Sequence, residues 1–553
     1  MNALRELEVS HAEFGPGCAE RKLRCLARLA RAKLGSAREL ERAHELALFL
    51  RAYPDSPAVL AAASVLLEGF ERRGDLRRFA AQLADSGIAG TATRYRFFLP
   101  TAARLARAHP AALEVDWDEW DPAQHARLDA LLPLLARPLE CPALDAGLEG
   151  REFLAHARAR GEAQGAFLAR RFAELDAAPE VRAQLWDELD PPLRLDPCPG
   201  APTRTTAVAR GRRPVYQREP LSRTRPDLRR AARVPPLAVR RVRGAAARAL
   251  VELAQDAMAA RARDLDAFMH ADARDVRLID CGGGLGFAMF GVQPEQRLPL
   301  ESVHAFLTLH NGVPIGYVLA SVFLGSAEVA YNVFETWRGA EAAHVYGRVL
   351  GMLHALYGAD SFEIDPYQLG HENEEGIASG AWWFYQKLGF RPDERGVRAL
   401  LRRELARLRK HKGARSSPAT LRALAREPLY FFLGREREDV LGRFPLERLA
   451  QASMRALAEQ GGQPGCARRA LARLGLRAPP ARSAQERRAF ERWAPLLCAL
   501  PGLERWSPAE RRAAALCACR KGAQDELEYV RTLQGARSLR RALCALARVR
   551  SSV

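Results

Sequence analysis

The feature that most constrains the fold is a change of hydrophobic pattern between Leu307 and Phe390. On either side of this stretch, apolar residues recur every three or four positions among Ala, Leu and Arg, which is the period of amphipathic helices. Within the stretch, β-branched and aromatic residues form runs of strand length separated by turn residues. A chain of 553 residues is long enough for several domains. The sequence therefore predicts a sheet-containing domain inside a largely helical protein.

The stretch begins with a predicted β-hairpin. Asn311-Gly312 separates two apolar runs, and this dipeptide supplies the two positive-φ residues of a two-residue hairpin turn. A helix is predicted after it, because apolar residues recur at three- and four-residue spacing up to Gly358. The other predicted elements are strands at Val313–Leu324, Ala327–Phe334 and Ser361–Asp365, and a second helix at Ala381–Leu388.

Two short motifs in this stretch resemble signatures of the GNAT superfamily of N-acetyltransferases. The first motif spans the end of a strand and the turn after it, at Val333, Arg338, Gly339 and Ala343. The second spans the last helix and the chain that follows, at Phe384, Tyr385, Lys387, Leu388, Gly389 and Phe390. The order and spacing of the motifs are similar to those of the family, and the resemblance covers only the central part of the chain.

The resemblance implies a GNAT-like mixed sheet and a site for acetyl-CoA or another acyl-CoA as co-substrate. A helix N-terminus favours an anion because its first N–H groups are free and the helix dipole is positive there. Tyr385 would be the general acid that protonates the departing thiolate. The pyrophosphate site implied by the family is formed by Val333, Phe334, Arg338, Gly339, Ala340, Glu341, Ala342 and Ala343.

Glu341 departs from the family pattern, in which the central position of the phosphate turn is glycine. A carboxylate about 5 Å from a phosphate costs about 3 kcal/mol per charge pair at an effective dielectric constant near 20. Anion binding therefore requires the Glu341 side chain to point away from the turn.

Several acidic residues near the motifs are candidates for the base that deprotonates an amine. We predict Glu335 and Glu363 as the catalytic candidates, beside Tyr385. The loop after the third strand offers further candidates: Asp365, His371, Glu372, Glu374 and Glu375. Their negative charge favours a cationic amine as the acceptor.

A glycine-rich run upstream of the hairpin allows a different interpretation. The run from Asp280 to Gly286 follows a predicted strand and resembles the first motif of SAM-dependent methyltransferases, in which glycines open a helix against the cofactor. However, residues Phe287 to Val292 have the pattern of a strand. We therefore predict that the glycines form a hairpin or bulge in the same sheet.

The flanking sequence divides the chain into four predicted regions. Residues 1–195 and 416–553 are predicted to be helical throughout, and residues 236–415 to form the GNAT-like acyltransferase domain, with a helix at Val242–Met269. Residues 196–235 are rich in Pro and Arg and lack periodicity, so we predict a linker or a draped segment there. The predicted fold class is α+β with all-α regions on both sides.

The charge and the cysteines constrain partners and location. The net charge is +19, but only six of the 85 basic residues are Lys and the Arg residues are spread along helices, which does not favour nucleic-acid binding. The ten cysteines lack CxxC spacing, and the sequence has neither a signal-peptide pattern nor an apolar run of membrane length. We therefore predict a cytoplasmic protein without a membrane or metal partner.

Three functions are consistent with these patterns. The first is transfer of an acyl group, acetyl above all, from CoA to an amine on a small molecule or a protein. The second is a GNAT-fold scaffold or ligand sensor without catalysis, in which the helical regions bind a protein partner. The third is SAM-dependent methyl transfer.

Overall fold

The computed structural model describes residues 3–211, 213–339 and 341–548. The protein is α+β, with a mixed sheet and helices, as predicted. The chain forms two compact units, the first comprising Met1–Leu221, Arg248–His270 and His310–Ile315, and the second comprising Ser222–Ala247, Ala271–Leu309 and Gly316–Val553. No helix within the described residues is long and apolar enough to cross a membrane.

Most of the first unit is helical. Its helices before residue 195 are α1 (Ala3–Ser10), α2 (Cys18–Arg31), α3 (Ala37–Ala52), α4 (Pro57–Glu68), α5 (Gly74–Phe79), α6 (Leu99–Ala108), α7 (Pro122–Leu135), α8 (Cys141–Asp145), α9 (Gly150–Ala157), α10 (Gln164–Glu174) and α11 (Pro179–Leu189). Polar caps define where several of them begin; Ser36 Oγ, for example, accepts a hydrogen bond from Glu39 N–H at the start of α3. Phe167, Phe172 and Trp186 are fully buried in the core of this unit.

The first unit also contains a small antiparallel sheet, so the prediction of an all-helical region at 1–195 is wrong in this respect. Its strands are β1 (Thr93–Tyr95), β2 (Leu113–Val115) and β3 (Leu193–Leu195), in the order β1-β3-β2. β3 pairs with both neighbours, with Leu195 opposite Thr93 on one side and Leu113 on the other. Each strand has three residues, which is too short for a two-residue period to be visible in the sequence.

The second unit is built on a nine-stranded sheet. The strands are β4 (Ala238–Val242), β5 (Ala271–Gly282), β6 (Leu285–Val292), β7 (Ser302–His310), β8 (Val313–Phe323), β9 (Ser326–Val333), β10 (Ser361–Ile364), β11 (Arg391–Pro392) and β12 (Leu429–Phe432). They lie in the order β11-β12-β10-β9-β8-β7-β6-β5-β4. β9 and β10 run parallel, whereas β4–β5, β5–β6, β8–β9, β10–β12 and β11–β12 are antiparallel pairs.

β12 lies inside the region that we predicted to be all-helical at 416–553. It is inserted between β10 and β11 and pairs with both. The strand is a four-residue apolar run between helices, and a run of that length does not distinguish a strand from a buried helical turn. The sheet therefore extends past residue 415, the predicted end of the GNAT-like domain.

The remaining helices lie after residue 221 in the sequence. They are α12 (Leu228–Ala231), α13 (Gly244–Ala259), α14 (Asp266–Met269), α15 (Ala342–Tyr357), α16 (Pro366–Leu369), α17 (Glu374–Ser379), α18 (Ala381–Leu388), α19 (Arg395–Lys410), α20 (Pro418–Leu424), α21 (Leu446–Glu459), α22 (Gln463–Leu474), α23 (Ala484–Ala499), α24 (Pro508–Arg520), α25 (Glu526–Gly535) and α26 (Arg537–Ala547).

The predicted helix at Val242–Met269 is wrong at its start and in its continuity. Val242 ends β4, and Gly244, the first residue of α13, has a φ of 64°. Ala262, with a φ of 49°, interrupts the helical backbone between α13 and α14. A positive φ lies outside the right-handed helical region, so the chain cannot form one helix across these positions.

Two predicted turns are confirmed. Asn311 and Gly312, between β7 and β8, have φ values of 49° and 80°, as a two-residue hairpin turn requires. Gly282, Gly283 and Gly284 all have positive φ and connect β5 to the antiparallel β6. These glycines form a turn between strands, as we expected, and no helix follows them.

Candidate functional site

The two parallel strands of the sheet separate soon after they meet. Ser326, Ala327 and Glu328 of β9 pair with Ser361, Phe362 and Glu363 of β10. β9 then continues to Val333 without pairing to β10, while β10 ends at Ile364. α15 makes the crossover between the two strands. A gap therefore opens beside the carboxyl end of β9, next to the turn that leads into α15.

A cleft of about 230 Å³ occupies this position. It brings together Val333, Arg338, Ala342 and Tyr385 of the predicted catalytic and cofactor-binding residues, and Glu375 of the further acidic candidates. The other lining residues come from β9, α17, α18 and the chain before them: Tyr331, Asn332, Gln368, Asn373, Gly376, Ser379, Ala381 and Phe384. The two resemblance motifs, about 50 residues apart, thus meet at one cleft.

Tyr385 forms the wall of the cleft and is only 3% exposed. Its ring contacts those of Tyr346 and Phe390 edge-on, with centroids 5.4 Å and 5.8 Å away. Burial, and then the neighbouring Tyr317, raise the pKa of the Tyr385 phenol well above its usual value. The phenol therefore remains protonated near neutral pH, the state that a proton donor needs.

Arg338 projects from the turn, with 41% of its side chain exposed. It donates a hydrogen bond of 3.2 Å to the carbonyl oxygen of Val333 and forms an ion pair with Glu375. Both partners also line the cleft. The guanidinium is thus held at the cleft by a backbone contact and an exposed acidic residue, and the latter interaction is weak enough to exchange for another anion.

Glu341 occupies the N-cap position of α15, and its carboxylate points to a separate segment of the chain. Its Oε1 accepts a hydrogen bond of 3.0 Å from the backbone N–H of Ser222. Ser222 Oγ lies 2.6 Å from Nε2 of His344, one turn further along α15. Ala342 and Ala343 are the first two residues of α15, and Gly339 is exposed before it. Ala340, also assigned to the phosphate site, lies outside the described residues.

The chain that follows Ser222 is packed along α15 instead of forming a free linker. α12 lies against α15 where Gly347 and Gly351 leave room for it. A Cβ atom at Gly347 would lie 3.0 Å from Cβ of Ala231, and one at Gly351 only 2.5 Å from the carbonyl oxygen of Val234. We predicted that the Pro/Arg-rich segment is either a linker or a draped segment. The part that follows Ser222 is draped over α15.

Glu335 and Phe334 lie beside the cleft residues in sequence but do not line it. Glu335 begins a short 3-10 helix that ends at Trp337, and it is exposed. Phe334 is buried, with its ring 6.1 Å from that of Tyr317. Phe334 is thus a core residue here, and Glu335 forms no side-chain hydrogen bond or ion pair with another described residue.

Glu363 is buried in the sheet beside two other polar groups. It lies opposite Glu328 in β9 and Tyr430 in β12, and its Oε2 has no hydrogen-bond partner among the described residues. Burial raises the pKa of Glu363 to about 8, with contributions from Glu328 and Asp365. Burial also raises the pKa of Glu328 to about 7. These two carboxyl groups therefore titrate near neutral pH, although neither lines the cleft.

Glu328 was not among the predicted site residues. The available signal was a charged residue inside an otherwise apolar predicted strand, where an ionised side chain is costly to bury. Of the other acidic candidates, Asp365 caps α16 by accepting a hydrogen bond from Tyr367 N–H, and Glu374 forms an exposed pair with Arg422. Within the described ranges no group of three or more potential ligands is arranged to hold a metal ion.

Comparisons with models of protein families, with curated proteins and with solved structures gave no match to this chain.

Proposed function

We propose that the second unit is a GNAT-like acyltransferase that moves an acyl group, acetyl above all, from CoA to an amine. The observation that supports this most is the cleft at the divergence of β9 and β10, lined by both Arg338 and Tyr385. The resemblance requires a slot between two such strands beside a helix N-terminus. Two observations support this expectation: β9 continues past its last pair with β10, and the cleft is lined by Arg338 of the turn and Ala342 of α15.

We assign the following roles in the reaction to the residues at the cleft. The amine nitrogen attacks the thioester carbonyl carbon, so that a C–N bond forms and the C–S bond breaks. Tyr385 would give its proton to the departing sulfur, since the phenol is protonated and lines the cleft. Arg338 would exchange Glu375 for the diphosphate of the carrier.

The base in this proposal is the carboxyl pair of Glu363 and Glu328. A base is most effective when its pKa lies near the working pH, and burial places both groups in that range. Both lie where β9 and β10 are still paired, directly before the strands separate. In their ionised form these groups would attract an ammonium group, which favours a cationic acceptor.

Calorimetric titration with acetyl-CoA tests carrier binding. We expect saturable binding to the full chain, weakened at least tenfold by Arg338→Ala because the variant loses the one cationic side chain among the described residues that line the cleft. Arg395→Ala, which removes a cation that is not at the cleft, is the matched control. Absence of binding at millimolar acetyl-CoA would contradict the proposal.

A second variant separates binding from catalysis. Tyr385→Phe keeps the buried ring and should leave acetyl-CoA affinity unchanged, while it lowers the release of CoA thiol in the presence of a panel of amines by at least tenfold. Tyr346→Phe removes another buried hydroxyl and should not lower this rate. Equal rates for wild type and Tyr385→Phe would assign the proton transfer to another group.

One observation favours the second candidate, a GNAT-fold scaffold or ligand sensor without catalysis. Arg338 and Glu341, two residues of the implied phosphate turn, are bonded to the protein's own Glu375 and Ser222. In a scaffold these contacts would be permanent, and acetyl-CoA would bind neither to the wild type nor to variants that break them. Protein partners through the helical regions and a cytoplasmic location remain predictions under either candidate.

A further inference from the structure

A cysteine of the first unit lies in the wall of a large cavity, and a histidine is in contact with its sulfur. Cys198 Sγ lies 3.5 Å from His109 Nδ1, within hydrogen-bond range for sulfur. Cys198 follows β3 and stands between Pro197 and Pro199, whose rings restrict the backbone on both sides of the thiol. His109 directly follows α6, and its N–H still bonds to the carbonyl oxygen of Leu105 at 2.8 Å. Both groups are therefore held by well-defined backbone.

The cavity measures about 850 Å³, and Cys198 is part of its wall. This volume lies within the range of small-molecule sites in proteins. Besides Cys198, the wall includes the loop after β3 and residues Ala249, Glu252, Leu253 and Asp256 of α13. Cys198 is thus partly exposed and lines a space large enough for a small-molecule ligand.

The charged residues of the wall favour an anionic ligand. Three arginines line the cavity, and none of them forms an ion pair within the described ranges: Arg72, Arg77 and Arg210. Four acidic residues also line it, of which Asp196 and Asp256 are paired with Arg194 and Arg104. Only Glu71 and Glu252 remain to balance the three arginines, which leaves the wall with excess positive charge.

The neutral forms of the Cys198 thiol and the His109 imidazole are both favoured near neutral pH. Burial, and then the charge of Asp196, raise the pKa of the Cys198 thiol. Burial lowers the pKa of the His109 imidazole, against the opposing effect of Asp256. A neutral imidazole has a free lone pair, and at this distance it can take the proton of the thiol as the sulfur reacts.

We propose that Cys198 is a nucleophile with His109 as its base, and that its substrate is a thioester or ester bearing a negatively charged group. In the step, the sulfur attacks the carbonyl carbon and a C–S bond forms, while Nδ1 of His109 takes the thiol proton. The bond from the carbonyl carbon to the leaving oxygen or sulfur breaks, and the leaving group takes that proton from His109. Water then attacks the acyl-cysteine with the same base, which releases the acid and restores the thiol.

Alkylation of the full chain with iodoacetamide, mapped by mass spectrometry, tests the pair. Cys141 is a control within the same chain, because it is also partly exposed but its Sγ lies at a backbone carbonyl, that of Arg137. If burial alone acts, Cys198 is alkylated more slowly than Cys141. If His109 takes the thiol proton, Cys198 is alkylated faster than Cys141. We expect Cys198 to react first, and His109→Asn to slow it at least tenfold without changing Cys141. Equal rates in His109→Asn and wild type would overturn the assignment of the base.

Acyl transfer to the thiol tests the substrate class. The probes are p-nitrophenyl acetate and the mono-p-nitrophenyl ester of succinic acid, which adds a carboxylate. We expect an acyl adduct on the peptide that contains Cys198, faster formation from the succinyl ester, and loss of that preference in Arg72→Ala/Arg210→Ala.

Cys198→Ser should abolish the adduct and Cys141→Ser should not. An adduct only on other residues would overturn the nucleophile, and equal rates for both esters would overturn the anionic substrate. None of these residues lines the cleft between β9 and β10, so neither result bears on acyl transfer there.

Discussion

The backbone N–H of Ser222 donates a hydrogen bond of 3.0 Å to the carboxylate of Glu341 at the N-cap of α15. An acidic side chain near a helix N-terminus is stabilised by the helix dipole, by about 0.3–1 kcal/mol when exposed. The protein thus places its own anion where the resemblance implies a phosphate. The carboxylate points toward Ser222. An anionic ligand would therefore be attracted by the first N–H groups of α15.

Neutralising this carboxylate should strengthen the binding of CoA. Glu341→Gln keeps an oxygen that accepts the hydrogen bond from Ser222 and removes the charge. At about 5 Å and an effective dielectric constant near 20, the repulsion removed is about 3 kcal/mol per phosphate charge, which is the upper bound. We expect the Kd of CoA, measured by calorimetry, to fall at least tenfold at low ionic strength.

The control for this change is Glu335→Gln, which removes an exposed charge six residues earlier that does not line the cleft. It should change the Kd by less than twofold. The gain from Glu341→Gln should also shrink as salt is added, since screening weakens the repulsion. An unchanged Kd in Glu341→Gln would mean that its charge does not oppose the ligand.

Several turns and helix ends were predictable because each has a local signal. The Asn311-Gly312 turn and the end of α15 at Gly358 depend on glycine or asparagine at positive φ, and these residues can be read directly from the sequence. By contrast, β12 is four residues long and joins the sheet from a distant part of the chain. Its pairing depends on the tertiary structure, for which the local pattern carries no information.

The carboxyl groups of Glu363 and Glu328 predict an unusual dependence of stability on pH. Glutamate in an unfolded chain titrates near 4.5, whereas Glu363 titrates at about 8 and Glu328 at about 7. The native state therefore holds extra protons between these values, and the free energy of unfolding falls as the pH rises through this window. Each group contributes a slope of up to about 1.4 kcal/mol per pH unit.

Glu363→Gln cannot ionise and should remove one of these contributions. We expect Tm from scanning calorimetry to fall less in the variant than in the wild type between about pH 5 and about pH 9, with the variant the more stable at the alkaline end. Glu374→Gln, at an exposed ion pair, should reproduce the wild-type profile. A steeper decline in Glu363→Gln than in the wild type would contradict the raised pKa.

The contact between α15 and the segment after Ser222 can be tested at Gly351. In Gly351→Ala the added Cβ would lie 2.5 Å from the carbonyl oxygen of Val234, a backbone atom that cannot rotate away. Alanine favours a helix by about 1 kcal/mol over glycine, but overpacking of about 1–3 kcal/mol opposes this gain. We expect the segment to loosen, so that trypsin cleaves within residues 223–233 several times faster.

Gly535→Ala is the matched control, because it lies at the end of α25 and an added Cβ would meet nothing within 4 Å. It should leave the rate of cleavage within 223–233 unchanged. If Gly351→Ala also leaves this rate unchanged, the segment is not held in place by its contact with α15.

The candidate site was only partly predictable for a related reason. The two motifs gave Arg338 and Tyr385, which do line one cleft, because a turn before a helix and an aromatic helix leave recognisable residues. The hydrogen bond from Ser222 to Glu341 could not be predicted from the sequence. Ser222 lies in a Pro/Arg-rich segment without periodicity, and the two residues are 119 positions apart. Cys198 and His109 are 89 positions apart and belong to no spacing pattern.

A buried ion cluster joins the C-terminal helices to the sheet within the second unit. Glu526 is fully buried and lies 2.5 Å from Lys521 Nζ and 3.3 Å from Arg297 Nε. Burial acts to raise the pKa of Glu526, but the charges of Lys521 and Arg297 outweigh it and hold the pKa below its usual value. The carboxylate is therefore ionised and compensates two buried cations.

Glu526→Gln should be strongly destabilising, because Lys521 and Arg297 stay buried and lose the carboxylate with which both form an ion pair. Breaking one partner of a buried pair costs about 3–5 kcal/mol, whereas an exposed pair contributes about 0–1 kcal/mol. We expect a clear fall in Tm and in the urea midpoint for Glu526→Gln at neutral pH, and almost none for Glu374→Gln, which breaks the exposed pair with Arg422. Glu526→Gln combined with Lys521→Met should recover part of the loss, since the double variant buries one cation fewer. Equal midpoints for Glu526→Gln and the wild type would mean that water reaches this cluster and screens its charges.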